Sequence, residues 1–220
     1  MRPADGSDET GQLLDEQITY YRALAQEYGD HRLPFSGGDE VVTALDEFRP
    51  TGNVLELACG PGTWTGRLLR HATEVTAVDS SPEMLAHAAD RHGTERVRYV
   101  RSDIFDFTPD RRYDVVFFGF WISHVPAELF DSFWTLVADC LNPGGRVFFV
   151  DDGYRTPEEL VDGEDSPIVR RRTNDGTAYR AVKVPHEPAE LQRRLTDLGW
   201  RITVTATSTG PFYWGAGDRA

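Results

Sequence analysis

The sequence predicts an α/β fold: a doubly wound, mostly parallel seven-stranded sheet with an antiparallel C-terminal strand, an N-terminal helical cap and an inserted β-hairpin. Three observations lead there. Between residues 53 and 152 short apolar runs alternate with segments of helical periodicity, which implies right-handed crossovers and parallel neighbours. The last two apolar runs, 200–208 and 211–217, are joined through Thr209 and Gly210, a link too short for a crossover, so that pair must be antiparallel. Between them and the alternating region, 168–184 holds two β-rich runs around Asn174–Gly176, the pattern of a hairpin.

The elements follow in chain order. Residues 1–10 read as a disordered lead and 11–49 as a helical cap. Within the cap Leu13, Leu14, Ile18, Tyr21, Leu24, Ala25 and Tyr28 recur at helical spacing, and a second helix is expected over 39–48, between "SGG" and Pro50. From residue 50 to 220 the chain forms the main domain. Its expected elements are strand 53–58, helix 63–72, strand 74–79, helix 82–92 with Pro82 at a favoured first-turn position, and strands 97–103 and 113–120. A helix over 126–141 and a strand over 146–152 complete the alternating part. An insertion, 153–185, carries an acidic surface loop and the hairpin, and a helix near 187–198 precedes the final strand pair.

Composition bounds the class. The chain has 220 residues, 40% hydrophobic and 27% charged, enough for one sizeable core. No apolar stretch reaches membrane-span length, and the acidic N-terminal segment lacks the apolar core of a secretory signal. Two cysteines, Cys59 and Cys140, make neither a disulfide framework nor zinc spacing. A cytoplasmic location, no membrane partner and no metal are therefore expected. The net charge of −13 argues against nucleic acid, whose binders need a basic face. The one basic run, Arg170–Arg172, reads as a solvated strand edge.

The chemistry begins at "VLELACGPGTWT", residues 54–65. A strand, a glycine turn and a helix suit any nucleotide-type cofactor. A dinucleotide fingerprint requires glycines at 60, 62 and 65, and position 65 is Thr. Glu56 lies inside the apolar strand, where a carboxylate is costly unless it meets a cation or several donors. A pyrophosphate gains nothing from it; a cationic ligand does. The competing role for Glu56 is the capping of a neighbouring amide.

"ELACGPG" resembles the first motif of class I, Rossmann-like S-adenosylmethionine (SAM)-dependent methyltransferases, in their small-molecule branch. Ala58 stands where the family often has its first glycine. The resemblance covers roughly residues 50–152 and implies a SAM site, with S-adenosylhomocysteine (SAH) as product. It implies that Glu56, Ala58, Gly60 and Gly62 form the cofactor turn and that Asp79, ending "VTAVD", accepts the ribose hydroxyls. Ser80 and Met84 would lie along the adenine. Asp103 would accept from the adenine amino group beside the Ile104 amide, with Asp106 as a rival. Gly119 would pass the activated methyl, and Tyr21 on the cap would reach the methionine carboxylate, with Arg22 as a possible charge partner.

Past strand 113–120 the segment "FFGFWISHVP" faces the acceptor in such a fold. It lacks the tetrapeptide of adenine N6 methyltransferases, again against nucleic acid. Tyr28, His31, Trp121, Tyr154 and Tyr213 are the expected substrate-binding residues. His124 is the expected general base, because an unperturbed imidazole titrates near ~6.5; its rival roles are capping and closing the pocket. His71, His87 and His92 read as surface residues. The expected reaction is methyl transfer to an oxygen or nitrogen of a small-molecule acceptor in specialised metabolism, with a homodimer as the candidate assembly. Two alternatives stand beside it: a non-catalytic SAM-binding scaffold and an NAD(P)-dependent oxidoreductase. Against the second stands Thr65 in the third glycine position.

Overall fold

The computed structural model of the protein describes residues 9–25, 36–163 and 166–220. Tyr28 and His31 lie outside them. The helix α1 (Glu9–Leu24) opens within the stretch expected to be a disordered lead, so Glu9 and Thr10 are helical. Its inner face is Leu13, Leu14, Gln17 and Tyr20, a helical stripe. The second helix, α2 (Gly38–Phe48), buries Val41 and Leu45.

The sheet follows, with β1 (Gly52–Leu57), β2 (Ala72–Asp79), β3 (Val97–Arg101), β4 (Tyr113–Gly119), β5 (Leu141–Asp152), β8 (Trp200–Ala206) and β9 (Phe212–Arg219). Its strand order is β3-β2-β1-β4-β5-β9-β8. Only β9 runs antiparallel, against both β5 and β8. The connecting helices are α3 (Thr65–Leu68), α4 (Pro82–His92), α5 (Phe130–Cys140) and α6 (Pro188–Asp197). Strand order reverses between β1 and β4, and a crevice opens at the carboxyl ends of strands at such a switch point.

Side-chain alternation along the central strands builds a core on each face. Val54, Val115, Phe117 and Phe148 pack with Val41, Leu45 and Trp64. Leu55, Val116, Phe118 and Phe149 pack on the other side with Phe133, Trp134 and Trp200. Phe118 and Phe149 are direct neighbours across β4 and β5 and stack with centroids 5.3 Å apart.

Two expected helices are shorter than their apolar patterns suggest. The segment 63–72 is helical only over Thr65–Leu68, because Ala72 already pairs with Gly52 in the sheet. The segment 126–141 starts as a 3-10 turn, Ala127–Leu129, before α5. The hairpin β6 (Ile168–Arg172) and β7 (Ala178–Val182) forms a separate two-stranded sheet. It is fastened to α1: Glu16 accepts from the Arg180 backbone N–H and guanidinium, and Gln17 Oε1 accepts from the Val182 N–H at 2.9 Å. Among the described residues no helix is long and apolar enough to cross a membrane.

Candidate active site

A cavity of about 380 Å³ lies over the carboxyl ends of β3, β2, β1, β4 and β5, roofed by α1. Its floor starts at the turn after β1. Ala58 has φ 52° and Gly60 φ 53°, both in the left-handed region where a β-carbon costs about 1–2 kcal/mol. Gly60 lines the cavity, and a β-carbon built on it meets nothing within 4 Å. Gly62 behaves differently. Its β-carbon would stand 2.8 Å from the His92 ring, and its carbonyl accepts from His92 Nε2–H at 2.7 Å. It holds the turn against α4 and does not line the cavity, which corrects the cofactor role expected for it. His92 is accordingly a packing residue rather than a surface one.

Glu56 is buried and accepts a 2.6 Å hydrogen bond from the Thr65 hydroxyl. Among the described residues no Lys or Arg pairs with it. Burial pushes its carboxyl up to about 8; the Thr65 bond pulls the other way and the Asp79 charge adds to the rise. Asp79, at the tip of β2, accepts from the Gly60 N–H at 2.8 Å and the Ser81 N–H at 2.9 Å. Burial pushes its carboxyl up, opposed by the backbone bonds from Ser81, Gly60 and Ser80. Capping of α4 falls to Ser81, which accepts from the Met84 N–H, so Asp79 is not needed for it. Asp103 accepts from the Phe105 N–H and, with Ser80, Met84 and Ile104, lines the cavity. Asp106 is exposed and does not.

At the end of β4 the chain approaches Trp64 so closely that a β-carbon on Gly119 would lie 2.7 Å from the indole Nε1. Phe120 follows with φ 56°, then Trp121 and His124, all on the cavity wall. The carbonyl of Val182 faces His124 Nδ1. A carbonyl can only accept, so Nδ1 carries the proton and Nε2 is the acceptor. The Tyr21 hydroxyl donates to it at 2.9 Å. Burial lowers the imidazole to about 3, and the Lys183 and Arg171 charges push in the same direction. His124 is therefore neutral near pH 7, its basic nitrogen engaged by a tyrosine; the ordinary titration behind its expected role as base does not hold here.

Behind His124 lies a buried polar cluster. Lys183 Nζ stands 3.4 Å from Asp151 and 3.2 Å from Asp152 and donates to the Ser123 hydroxyl. Asp151 in turn accepts from the Ser123 N–H and Oγ–H. Asp152 also reaches the cavity wall.

Four further assignments change. Tyr213 is 2% exposed in the core beneath the sheet, and its neighbour Phe212 lines the cavity instead. Alternation along β9 decides which of the two faces in. Tyr154 is 44% exposed and off the wall. Arg22 pairs with Glu83 on α4 at 2.9 Å and is not a cavity residue. Arg171, grouped with its neighbours as a solvated edge, lines the cavity. Arg170 and Arg172 are exposed while Arg171 is half-buried, the period-2 pattern of a strand that would have singled it out. Trp64, Phe105 and Phe120 complete the apolar wall.

The donor set fits SAM. An uncompensated buried carboxyl awaits a cation, the Gly60 cradle has space where a side chain would stand, and acids at two neighbouring strand tips can accept from hydroxyl and amino groups. Comparison with known proteins agrees. Residues 54–145 match the family model described as a methyltransferase domain. A curated trans-aconitate 2-methyltransferase from Escherichia coli is 34% identical over 94 residues, which is 42% of this chain and 36% of that protein. The chain thus matches little more than a third of that relative's length. The structure titled "DhpI-SAM-HEP complex" is 42% identical, with TM-score 0.83 and coverage of 93% of this chain and 96% of that one. The "DhpI-SAH complex structure" is 40% identical, with TM-score 0.81 and coverage of 94% and 97%. Turn, strand-tip acids and full-length likeness to a SAM complex converge: the chain belongs to the S-adenosylmethionine-dependent methyltransferases.

Proposed function

We propose that the protein moves the methyl group of SAM to an oxygen or nitrogen of a small-molecule acceptor in specialised metabolism. The observation that carries this reading is the continuity of one cavity from the carboxylates of Asp103, Asp79 and Glu56 to the wall of Trp121, His124 and Tyr21. Both reactants then share a single chamber. Bound SAM supplies an activated methyl whose transfer leaves a neutral thioether. The protein's task is to hold the acceptor on line and near contact, which accounts for much of the acceleration in such displacements.

In this reading Asp79 accepts from the ribose hydroxyls, Asp103 from the adenine amino group, and Glu56 balances the cationic methionyl end. Gly119 and Phe120 pass beside the methyl group. Tyr21, held by His124, orients the acceptor or the methionine carboxylate. Small dimensions and aromatic walls support a small-molecule acceptor rather than a polymer.

Calorimetry with SAM on the wild type, Asp79→Ala and Asp79→Asn tests the cofactor side. Loss of more than about tenfold in affinity, about 1.4 kcal/mol, is expected in both variants, with unchanged circular dichroism. Unchanged affinity refutes the ribose role.

A further inference from the structure

The turn that ends β4 is strained and is supported from outside itself. Phe120 has φ 56°, a left-handed conformation that disfavours any residue with a β-carbon and persists only where its surroundings impose it. A single 3-10 turn, Ile122–His124, follows, and Trp121 gives it no side-chain cap. So short a helix cannot stand on its own few bonds. Its supports come from the two ends of the insertion 153–185.

From the end of β5, the Val150 carbonyl accepts from the Phe120 N–H at 2.7 Å. Asp151 accepts from the Ser123 N–H at 2.9 Å and from its hydroxyl at 2.8 Å. From the chain leaving β7, the Val182 carbonyl accepts from the His124 ring. The Val184 N–H donates to the Ser123 carbonyl at 2.7 Å, and His186 Nε2–H donates to the Ile122 carbonyl at 3.4 Å. Lys183 closes the frame, its Nζ 3.1 Å from Ser123 Oγ and 3.4 Å from Asp151.

Asp151 is the group these supports share. It is fully buried and off the cavity wall, so it meets neither reactant. Buried ion pairs are often no more stabilising than apolar residues in their place. This carboxylate is nonetheless fully committed, to both Ser123 donors, to Lys183 and to the Asp152 N–H at 2.8 Å. Trp121 stands two residues before Ser123 and His124 one residue after it, and both are wall residues.

Resting on the methyltransferase reading above, we propose that Asp151 is a positioning residue: acting through Ser123, with Lys183 as counter-ion, it fixes where Trp121 and His124 stand on the chamber wall. Methyl transfer depends on holding two reactants in line and near contact, so a wall that shifts misplaces the acceptor.

The test uses the full chain labelled with 5-fluorotryptophan and nitrogen-15 histidine and saturated with SAH, whose binding is first measured by calorimetry. Single Trp→Phe replacements assign the fluorine signals of the five tryptophans. In Asp151→Asn the Trp121 and His124 signals should shift or split, while those of Trp134 and Trp200, in the core, should keep their places. Exchange of the Ser123 amide should accelerate about 10- to 100-fold, as expected for loss of a charge-assisted bond, with β1 and β2 amides unchanged. Ser123→Ala removes one bond and keeps the carboxylate; it should move the same two signals less, and it provides the test by itself if Asp151→Asn does not fold. SAH affinity should stay unchanged in both. If the Trp121 and His124 signals stay fixed in the folded variants, or if Trp134 and Trp200 move as much as Trp121, the inference falls and the methyltransferase reading survives. If the wild-type chain fails to bind SAH, both fall.

Discussion

The Tyr21 hydroxyl lies 2.9 Å from His124 Nε2, while the opposite nitrogen of that ring donates to the carbonyl of Val182. One imidazole therefore joins the cap helix, the turn after β4 and the hairpin. The bonding fixes the Nδ1–H tautomer, and burial with two nearby cations keeps the ring neutral, with its pKa lowered to about 3. Nitrogen-15 spectra of labelled histidine should show that tautomer for His124 from pH 5 to 8, with no midpoint in the range. Methyl-transfer rates should likewise lack an inflection that His124→Asn abolishes. A titration of this ring near pH 6.5 would restore the general-base role.

Glu56 makes a second prediction through its proton. Its folded pKa of about 8 lies above the ordinary 4.5, so between those values the folded state binds more protons than the unfolded one. Stability contributed by this group is complete below pH 4.5 and declines as pH rises through 8. His124 acts oppositely, because its depressed pKa makes stability fall as pH drops from 6.5 to about 3. Of these two groups, only Glu56 acts between pH 6.5 and 8. Urea unfolding across that window should show a decline on the order of 1–2 kcal/mol that Glu56→Gln removes. A cation seated beside Glu56 lowers its pKa, so SAM binding at pH 7 should release protons. Calorimetry in buffers of different ionisation enthalpy measures this release, and its absence would place the SAM cation elsewhere.

Gly60 and Gly62 separate ligand space from packing. A methyl group on Gly60 enters the cavity without meeting protein atoms, so Gly60→Ala should cost about 1–2 kcal/mol of backbone strain and most of the SAM affinity. A methyl group on Gly62 strikes His92 and Ala88. Gly62→Ala adds an overpacking cost of about 1–3 kcal/mol to similar strain at φ 80°, while SAM affinity of the folded protein should change little. Melting curves paired with SAM titrations check both. Equal affinity losses would return Gly62 to the cofactor site.

Much of this was legible because it is local. The motif turn, the acids at the tips of β2 and β3, and the antiparallel final strands follow from spacing and connection length. The failures share a different cause: they turn on which side of a strand, or which neighbour, a residue meets. Tyr213 and Phe212 differ only in sheet face, and Arg171 differs from its flanking arginines in the same way. Gly62 needed α4 in place before its role as a packing glycine was visible. The neutrality of His124 depends on its burial and on the Lys183 and Arg171 charges, and its tautomer on Val182 and Tyr21; these groups come from three separate segments, and no short sequence pattern encodes that meeting.

Gln17 tests whether cap and hairpin form one closing unit. Its Oε1 accepts from the Val182 N–H at 2.9 Å, and its Nε2 donates to the His124 carbonyl at 3.4 Å. A single buried carboxamide thus ties α1 both to the strand whose carbonyl orients His124 and to the backbone of His124 itself. Gln17→Ala leaves the Val182 N–H buried without that acceptor, a loss of about 1–3 kcal/mol. The penalty should be local: hydrogen exchange should accelerate at Val182 and along β7, while β1, β4 and β5 keep their protection. SAM affinity should fall through loss of the roof, and the neutral His124 signal should broaden as the ring loses its fixed carbonyl. Gln17→Glu, which keeps an acceptor for Val182 but no donor for His124, should fall between wild type and alanine. Exchange that speeds up uniformly across the sheet would instead make Gln17 an ordinary contributor to global stability.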